Sequence, residues 1–425
     1  MTVLLIGLLL LILTLFGTPL FVIISAIALL AFHAAEIDSS ALIIELYRLA
    51  SQPVLLAIPL FTFAGYLLAE SRTPQRLVNF SRALFGWMPA SLAIVALVSC
   101  AVFTAFTGAS GVTIVALGGL LLPALMEENY SEKFSLGMLT ASGNLGLLFP
   151  PSLPIILYGL VAETSIDKLF MAGILPGTLM VLLLALYSMW VVRGSEVKRK
   201  PFNATELWSS TRDAAFEIPL PFIILAGIYL GWFTATEAAA ITAFWVLIVE
   251  VFIYRDISIK KDLRCVVNDS MIMVGGILVI LGAALGLANY LVDAQIPMQI
   301  LDAMKTLITS KIAFLIVLNL FLLVVGAMMD IFSAIMVVAP LIIPIAANYG
   351  IDPVHLGIIF LANLGIGYST PPVGMNLFIA SFRFDQPVLK LYRATLPFLV
   401  ILLIALLIIT YWPGLSLWLV EAMGV

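Results

Sequence analysis

The chain is laid out as a succession of long apolar segments separated by short charged stretches. They fall near residues 2–32, 52–70, 87–126, 134–160, 169–192, 214–232, 236–253, 270–292, 311–348, 355–382 and 394–420. The hydrocarbon core of a bilayer is about 30 Å thick and takes about 20 apolar helical residues to cross. Inside it every backbone polar group needs an internal partner, so only helices or closed barrels can span it; apolar runs of this length, rather than short alternating ones, select helices. With 63% hydrophobic and only 10% charged residues, against roughly 45–50% and about 25% in soluble domains, lipid must solvate much of the surface. The expectation is an all-α polytopic membrane protein.

The stretch from Val3 to Phe32 carries no charge. It is too long for a signal-peptide core and lacks a basic leader, so it reads as a retained span. Residues 34–50 read as an interfacial amphipathic helix with Glu36, Asp38, Glu45 and Arg48 on its polar side. Cys100 and Cys265 are the only cysteines and offer neither a disulfide framework nor a metal cluster.

Basic residues set the orientation, because they stay in the cytoplasm. They cluster at Arg72/Arg76/Arg82, at Arg193/Lys198/Arg199/Lys200/Arg212, at Arg255/Lys260/Lys261/Arg264 and at Arg383/Lys390/Arg393. All four share one side if 87–126 and 311–348, each nearly twice one crossing, fold as hairpins or paired spans that open from opposite sides. The two halves also resemble one another. Glu70 and Pro74 match Asp293 and Pro297, Leu122-Pro123 matches Ile343-Pro344, and Asn144…Pro150-Pro151 matches Gly365…Pro371-Pro372, at offsets of 221 to 223 residues. Repeats of opposite topology are how many secondary transporters are built, with the site where the repeats meet.

Four elements could carry chemistry. Phe103 to Thr113, with Thr107, Gly108, Ser110 and Gly111, suits a hairpin tip, where Gly permits the turn and freed N–H groups face an anion; the plainer reading is close packing through small residues. Ser142-Gly143-Asn144 through Pro150-Pro151-Ser152 cannot be an undisturbed helix, because two prolines remove donors and bias the residues before them. Its bare carbonyls suit a hard cation such as Na⁺ and its second half offers an N-terminus to an anion. Asp330 stands alone in Gly326 to Ser333, where an ionised carboxylate costs about 2.5–3.5 kcal/mol on insertion scales; a cation, a helix N-terminus or a proton must compensate it, unless it only caps the turn. Asn363 through Pro371-Pro372 to Asn376 mirrors the second element.

Other residues read as structural. Glu237 after Thr234 is a helix N-terminal acid. His33 and His355 stand at span ends and read as interfacial, and Trp87, Trp190, Trp232, Trp412 and Trp418 as an aromatic belt.

The sequence resembles the large permease subunit of tripartite ATP-independent periplasmic (TRAP) transporters, the DctM type, over essentially its whole length. The likeness is most specific in Gly143-Asn144-Leu145-Gly146-Leu147-Leu148-Phe149-Pro150-Pro151-Ser152-Leu153-Pro154, in Ala172-Gly173-Ile174-Leu175-Pro176-Gly177, and from Gly350-Ile351-Asp352-Pro353-Val354-His355 through Pro372-Val373-Gly374-Met375-Asn376-Leu377. The resemblance implies an inverted-repeat, elevator-type transporter with two re-entrant helical hairpins and two broken helices, in the bacterial inner membrane. It implies scaffold elements over 1–86 and 193–269, transport halves over 87–192 and 311–382, lead-in helices over 270–310 and a C-terminal helix in 383–425. Na⁺ would be the transported ion, with no organic cofactor. One sodium site would be built by Ser110, Gly111, Ser142, Gly143 and Asn144, the other by Asp330, Ser333, Asn363, Gly367, Thr370 and Gly374. A small organic anion, of dicarboxylate or sialic acid type, would lie near Thr107, Ser110, Ser152 and Asp330.

The implied partners are a small four-helix membrane subunit, expected as a separate chain because no extra helical domain precedes Val3, and an extracytoplasmic binding protein; no nucleic acid is involved. An ATP-driven pump is excluded by the absence of a G-x-x-x-x-G-K-[ST] loop. A proton-coupled carrier, with Asp330 cycling the proton, stays open. A channel is disfavoured because the breaks come in inverted pairs. An intramembrane serine protease using Gly108-Ala109-Ser110-Gly111 would need His33 or His355 beside the serine.

Overall fold

The computed structural model describes Leu13 and residues 18–423 apart from 39, 194–201, 306–307 and 309. Most of the predicted first span, and Lys198, Arg199 and Lys200, therefore lie outside the described residues, as does the side chain of Glu45. Among the described residues all regular structure is helical. In chain order it comprises α1 (Leu20–Ala34), α2 (Ser40–Ala50), α3 (Ala57–Glu70) and α4 (Thr73–Phe85). Next come α5 (Ser91–Thr107), α6 (Ser110–Glu127), α7 (Glu132–Ser142), α8 (Leu153–Val161) and α9 (Ile166–Val191). The middle of the chain forms α10 (Ala204–Asp213), α11 (Pro219–Tyr229), α12 (Ala235–Ile253) and α13 (Asp262–Asp293). The rest forms α14 (Ile296–Lys305), α15 (Lys311–Met328), α16 (Ile331–Asn348), α17 (Pro353–Gly367), α18 (Met375–Phe384), α19 (Val388–Tyr411) and α20 (Gly414–Met423).

The repeat seen in the sequence runs through the elements. Helices α5 to α9 recur as α15 to α19, each starting 220 to 222 residues later. The halves interlock: α8 packs on α16, and α18 packs on the first half of α6, so each broken helix ends against the other repeat's hairpin. Around this core runs a frame in which α13 packs on α1, α2 and α3, and α3 on α12.

The basic clusters meet at one end. Arg72 approaches Asp256, Arg82 pairs with Glu128 at 3.3 Å, Lys390 pairs with Glu132 at 2.6 Å, and Arg383 donates to the carbonyl of Val115 at 2.8 Å. Both ends of the α5–α6 hairpin lie there. The ends of the α15–α16 hairpin are joined elsewhere, by Lys311 on the carbonyl of Gly350 and by stacking of Phe314 on Tyr349. Because α13 runs from the basic end to the start of α14, the second hairpin opens at the opposite end, as the charge pattern requires.

One buried ionic network ties the frame together there. Arg76 reaches Glu217 at 2.5 Å, Glu250 at 2.9 Å and Asp256 at 2.6 Å, and lies 4.0 Å from the ring centroid of Tyr254. Three carboxylates face one guanidinium, and burial pushes Glu217, in the turn before α11, up to about 7 although Arg76 pulls it down. Arg76→Met strands the acids, and breaking a buried pair costs about 3–5 kcal/mol. Glu217→Gln keeps an acceptor for Arg76 and relieves acid–acid repulsion, so it is expected to cost less than about 1 kcal/mol. Melting temperatures of the two variants in detergent check the contrast.

Some expectations are corrected. The predicted last segment, 394–420, is two helices, because Pro413 offers no donor and biases Trp412 away from the α region. The segment 214–232 is helical only over the 11-residue α11, with turns before and after it. His355 stands at a span end, in the first turn of α17, and is buried there, its Nε2 3.3 Å from the carbonyl oxygen of Thr410. The predicted acid at Glu237 does sit at a helix start, in a reciprocal box with Thr234, and the five belt tryptophans are all exposed. Helix α2 begins later than expected and leaves Ile43, Ile44 and Tyr47 exposed, as an interfacial helix would.

Candidate functional site

The first hairpin turns at Gly108, whose φ of +64° lies in the left-handed region, and its N–H returns to Thr104 at 2.8 Å. A Cβ there would stand 2.6 Å from that of Leu153, so the tip can rest on the start of α8 only with glycine. Ser110, the first residue of α6, donates its hydroxyl to Oδ1 of Asn376 at 2.7 Å. Asn376 is fully buried and its Nδ2 has no partner. The hydroxyls of Thr104 and Thr113 lie 2.7 Å apart, and Thr104 also donates to the carbonyl of Gly143 at 3.0 Å. Both hairpin arms are thereby fastened to the first break.

That break runs from Gly143 through a 3₁₀ turn, Leu145–Leu148, to Pro150-Pro151, and the chain resumes as α8 bent by 47°. The second runs from Tyr368 to Gly374, where φ of +55° again favours glycine. Both Pro-Pro bonds are cis. The breaks touch at equivalent positions: Nδ2 of Asn144 donates to the carbonyl of Gly365, 221 residues on. A residue meeting its own repeat mate lies near the pseudo-two-fold axis. Oδ1 of Asn144, a cation-ligand type of oxygen, has no partner.

At the second tip, Asp330 caps α16 by accepting the N–H of Ser333 at 2.9 Å. The N–H of Ile331 donates to the Tyr368 hydroxyl, and that of Gly374 to Ala327 at 2.9 Å. The main chains of Gly326 and Gly367 are in contact; a Cβ on Gly367 would stand 2.7 Å from Gly326. The carbonyls of Tyr368 and Thr370 converge on Gly374.

A cavity of about 700 Å³ joins these parts. Gly108 to Val112 line it from the first tip, Asp330 to Phe332 from the second, and Leu147, Tyr368 and Met375 from the breaks. The frame closes it with Tyr66 and Glu70 of α3 and Cys265, Asp269 and Met273 of α13. A cavity of about 820 Å³ at the opposite end touches neither tip, so the chemistry belongs to the smaller one.

Of the predicted residues, Ser110, Gly111 and Asp330 line this cavity. Thr107 turns its hydroxyl back to Phe103, and Ser142 its own to Leu139. Ser152 is fully buried at the start of α8, outside the cavity lining, with its hydroxyl unpartnered. Ser333 is buried behind Asp330, and the Thr370 hydroxyl is spent on Ile366. The side chain of Asn363 donates to Asn319 at 2.7 Å and to Ile359 at 2.8 Å. Asn319 is seven residues below Gly326 on α15, about 10 Å from the tip. Sequence reasoning left Thr104, Thr113, Tyr368 and Asn376 unassigned; the position of Asn376 just after Pro-Pro-Val-Gly was the one available signal. The protease alternative has no histidine here, since Ser110 meets Asn376 and His355 meets Thr410.

Inverted hairpins whose tips meet two broken helices define a helical membrane permease of the secondary-transporter kind. The match to the family model for the DctM component of tripartite ATP-independent periplasmic transporters covers residues 5–415, and the chain belongs to that family. It is 37% identical over 400 residues to the C4-dicarboxylate TRAP transporter large permease protein DctM of Pseudomonas aeruginosa, covering 94% of this chain and 93% of that one. It is 37% identical over 365 residues to the isethionate TRAP transporter permease protein DctMQ of Oleidesulfovibrio alaskensis, covering 85% of this chain but only 57% of that longer one. To the sialic acid large permease SiaM of Vibrio cholerae it is 31% identical, covering 86% of each. In fold it is similar to the Alcanivorax borkumensis YdaH transporter, with a TM-score of 0.61 over 89% of each chain at 14% identity. The protein is thus a TRAP transporter large permease, resident in the bacterial inner membrane.

Proposed function

We propose that the chain couples inward movement of Na⁺ to uptake of a small organic anion by an elevator motion of the hairpin core against the frame. The observation that carries this reading is the meeting of two broken helices at Asn144 and Gly365. There Oδ1 of Asn144 is buried and free to accept a cation, while Nδ2 of Asn376, behind Ser110, is buried and free to donate. Helix starts at Ser110, Leu153, Ile331 and Met375 bring the positive ends of dipoles toward this region. With no Lys or Arg lining the cavity among the described residues, an anion would be held by these ends, by hydroxyls and by bound sodium.

One sodium would sit among Ser110, Gly111, Ser142, Gly143 and Asn144, the other among Asp330, Ser333, Asn363, Gly367, Thr370 and Gly374. Because their hydroxyls are committed within their own helices, Ser142 and Thr370 would contribute main-chain carbonyls, and Asn363 its buried, unpartnered Oδ1. The anion would lie near Ser110 and Asp330, with Thr107 and Ser152 behind the first tip. The named cargoes of the relatives span dicarboxylate, sulfonate and sialic acid, so a dicarboxylate or sialic acid type is the working class. A small four-helix membrane subunit and an extracytoplasmic binding protein would complete the system.

The test is uptake into proteoliposomes holding the permease, its small subunit and the binding protein loaded with its cargo. Replacing external Na⁺ by choline is expected to stop uptake. Sodium-independent uptake that follows an imposed proton gradient would instead make Asp330 the carrier of a proton.

A further inference from the structure

The charges around the cavity are unevenly placed. Three carboxylates line it: Asp330 on the hairpin core, and Glu70 and Asp269 on the frame helices α3 and α13. Among the described residues no Lys or Arg is in the lining. Arg264, next to Cys265 on α13, is not among the lining residues, and Arg383 lines a neighbouring cavity of about 350 Å³ that shares Val115 and Ile379. The Nε of Arg383 is committed to the carbonyl of Val115, in the π turn Ile114–Gly118. Arg76 is held in the buried network, whereas Arg72 is exposed and lies 3.9 Å from Asp256. The polar groups suited to cargo, Ser110 and the two tips, face the cavity from the core; the two frame acids face it from the other wall at the basic, cytoplasmic end.

We propose that Glu70 and Asp269 make the cytoplasmic mouth of this cavity selective for cations over anions, so that sodium is retained near the site while a released organic anion is driven out. The proposal rests on the reading of the cavity as the inward chamber for cargo. A cleft with charges of one sign and low-dielectric walls focuses its field and shifts local ion concentrations. Since the two acids belong to the frame, they bear on the cargo when the core faces inward, which weakens anion affinity there specifically. The driving force of the cycle is unchanged, because the same difference reappears in the energy of the empty core's return.

The chain supplies its own reporter. Cys265 lines the cavity, is exposed and donates to Asp269 at 3.4 Å, whereas Cys100, the only other cysteine, is buried. The experiment measures modification rates of Cys265 in the full-length permease, in phosphatidylcholine nanodiscs, by methanethiosulfonates bearing either a trimethylammonium or a sulfonate. Each rate is divided by that of 2-mercaptoethanol with the same reagent, so effects on thiol ionisation cancel in the ratio. Two carboxylates within about 10 Å predict a cation preference of roughly 10–100-fold at low salt, shrinking as the Debye length falls to about 3 Å at 1 M.

Glu70→Gln with Asp269→Asn should bring the ratio to within about threefold of one; Glu70→Asp with Asp269→Glu should restore it. A wild-type ratio near one, or one that survives neutralisation, overturns the proposal. Neither outcome depends on sodium coupling: failure of the choline test would leave the ratio unmoved, and a ratio of one would leave sodium dependence standing.

Discussion

Asp330→Asn is expected to abolish concentrative uptake while the permease still inserts, purifies and melts close to wild type. The substitution separates two jobs that the structure gives one side chain. Asp330 caps α16 through the N–H of Ser333 at 2.9 Å, and it also faces the cavity between the tips. Asparagine caps a helix about as well as aspartate, so the cap survives and only the charge is lost. If the carboxylate holds a cation directly, losing a charged partner worth about 1.5–3 kcal/mol lowers ion affinity roughly 10–200-fold. Asp330→Ala removes the cap too, and its melting temperature should fall by the equivalent of a further 0.5–2 kcal/mol or so. The measurement is uptake against external Na⁺ concentration in proteoliposomes, beside thermal unfolding in detergent. Wild-type sodium dependence in the asparagine variant would reduce Asp330 to a cap.

The sequence was informative about the architecture for a physical reason: in lipid a helix break is costly, so it must be written in residues that cannot continue a helix. Pro150-Pro151 and Pro371-Pro372 state both breaks, and the long segments 87–126 and 311–348 turn where Gly108 and Met329-Asp330 interrupt them. The orientation was legible because Arg72, Arg82, Arg383 and Lys390 need the same aqueous side. What stayed hidden is the direction of each polar side chain. Asn363 sits in the second broken helix, yet its amide turns to Asn319 of α15; Thr107 and Ser142 satisfy their hydroxyls on their own helices. A hydroxyl in an apolar helix always has that local option, and one chain's sequence does not say when it is taken. Glu70 and Asp269 were hidden for another reason. They lie some 200 residues apart at the ends of ordinary spans, and only the packing of α3 on α13 brings them to one cavity.

The second large effect is expected at Gly367. Its main chain lies against that of Gly326, so that a Cβ would stand 2.7 Å from the carbonyl carbon and Cα of Gly326 and 2.9 Å from the nitrogen of Ala327. All three atoms are backbone, and no flexible side chain can yield. Gly367→Val therefore has to push the second break away from the tip of the second hairpin, where Gly374 donates to Ala327. Overpacking costs about 1–3 kcal/mol, and here it should also spread the carbonyls of Tyr368 and Thr370 that converge on Gly374. Transport should fail, with a melting temperature several degrees lower. Gly275 and Gly276 provide the control: they lie within α13 with nothing within 4 Å of an added Cβ. Alanine there should stabilise the helix by about 0.5–1 kcal/mol per site and leave uptake intact. The contrast assigns the effect at Gly367 to contact between hairpin and break, since both substitutions add carbon to a glycine inside a helix. If Gly367→Val transported like wild type, the second break would not need its hold on the hairpin, and the sodium site drawn between them would have to be placed elsewhere.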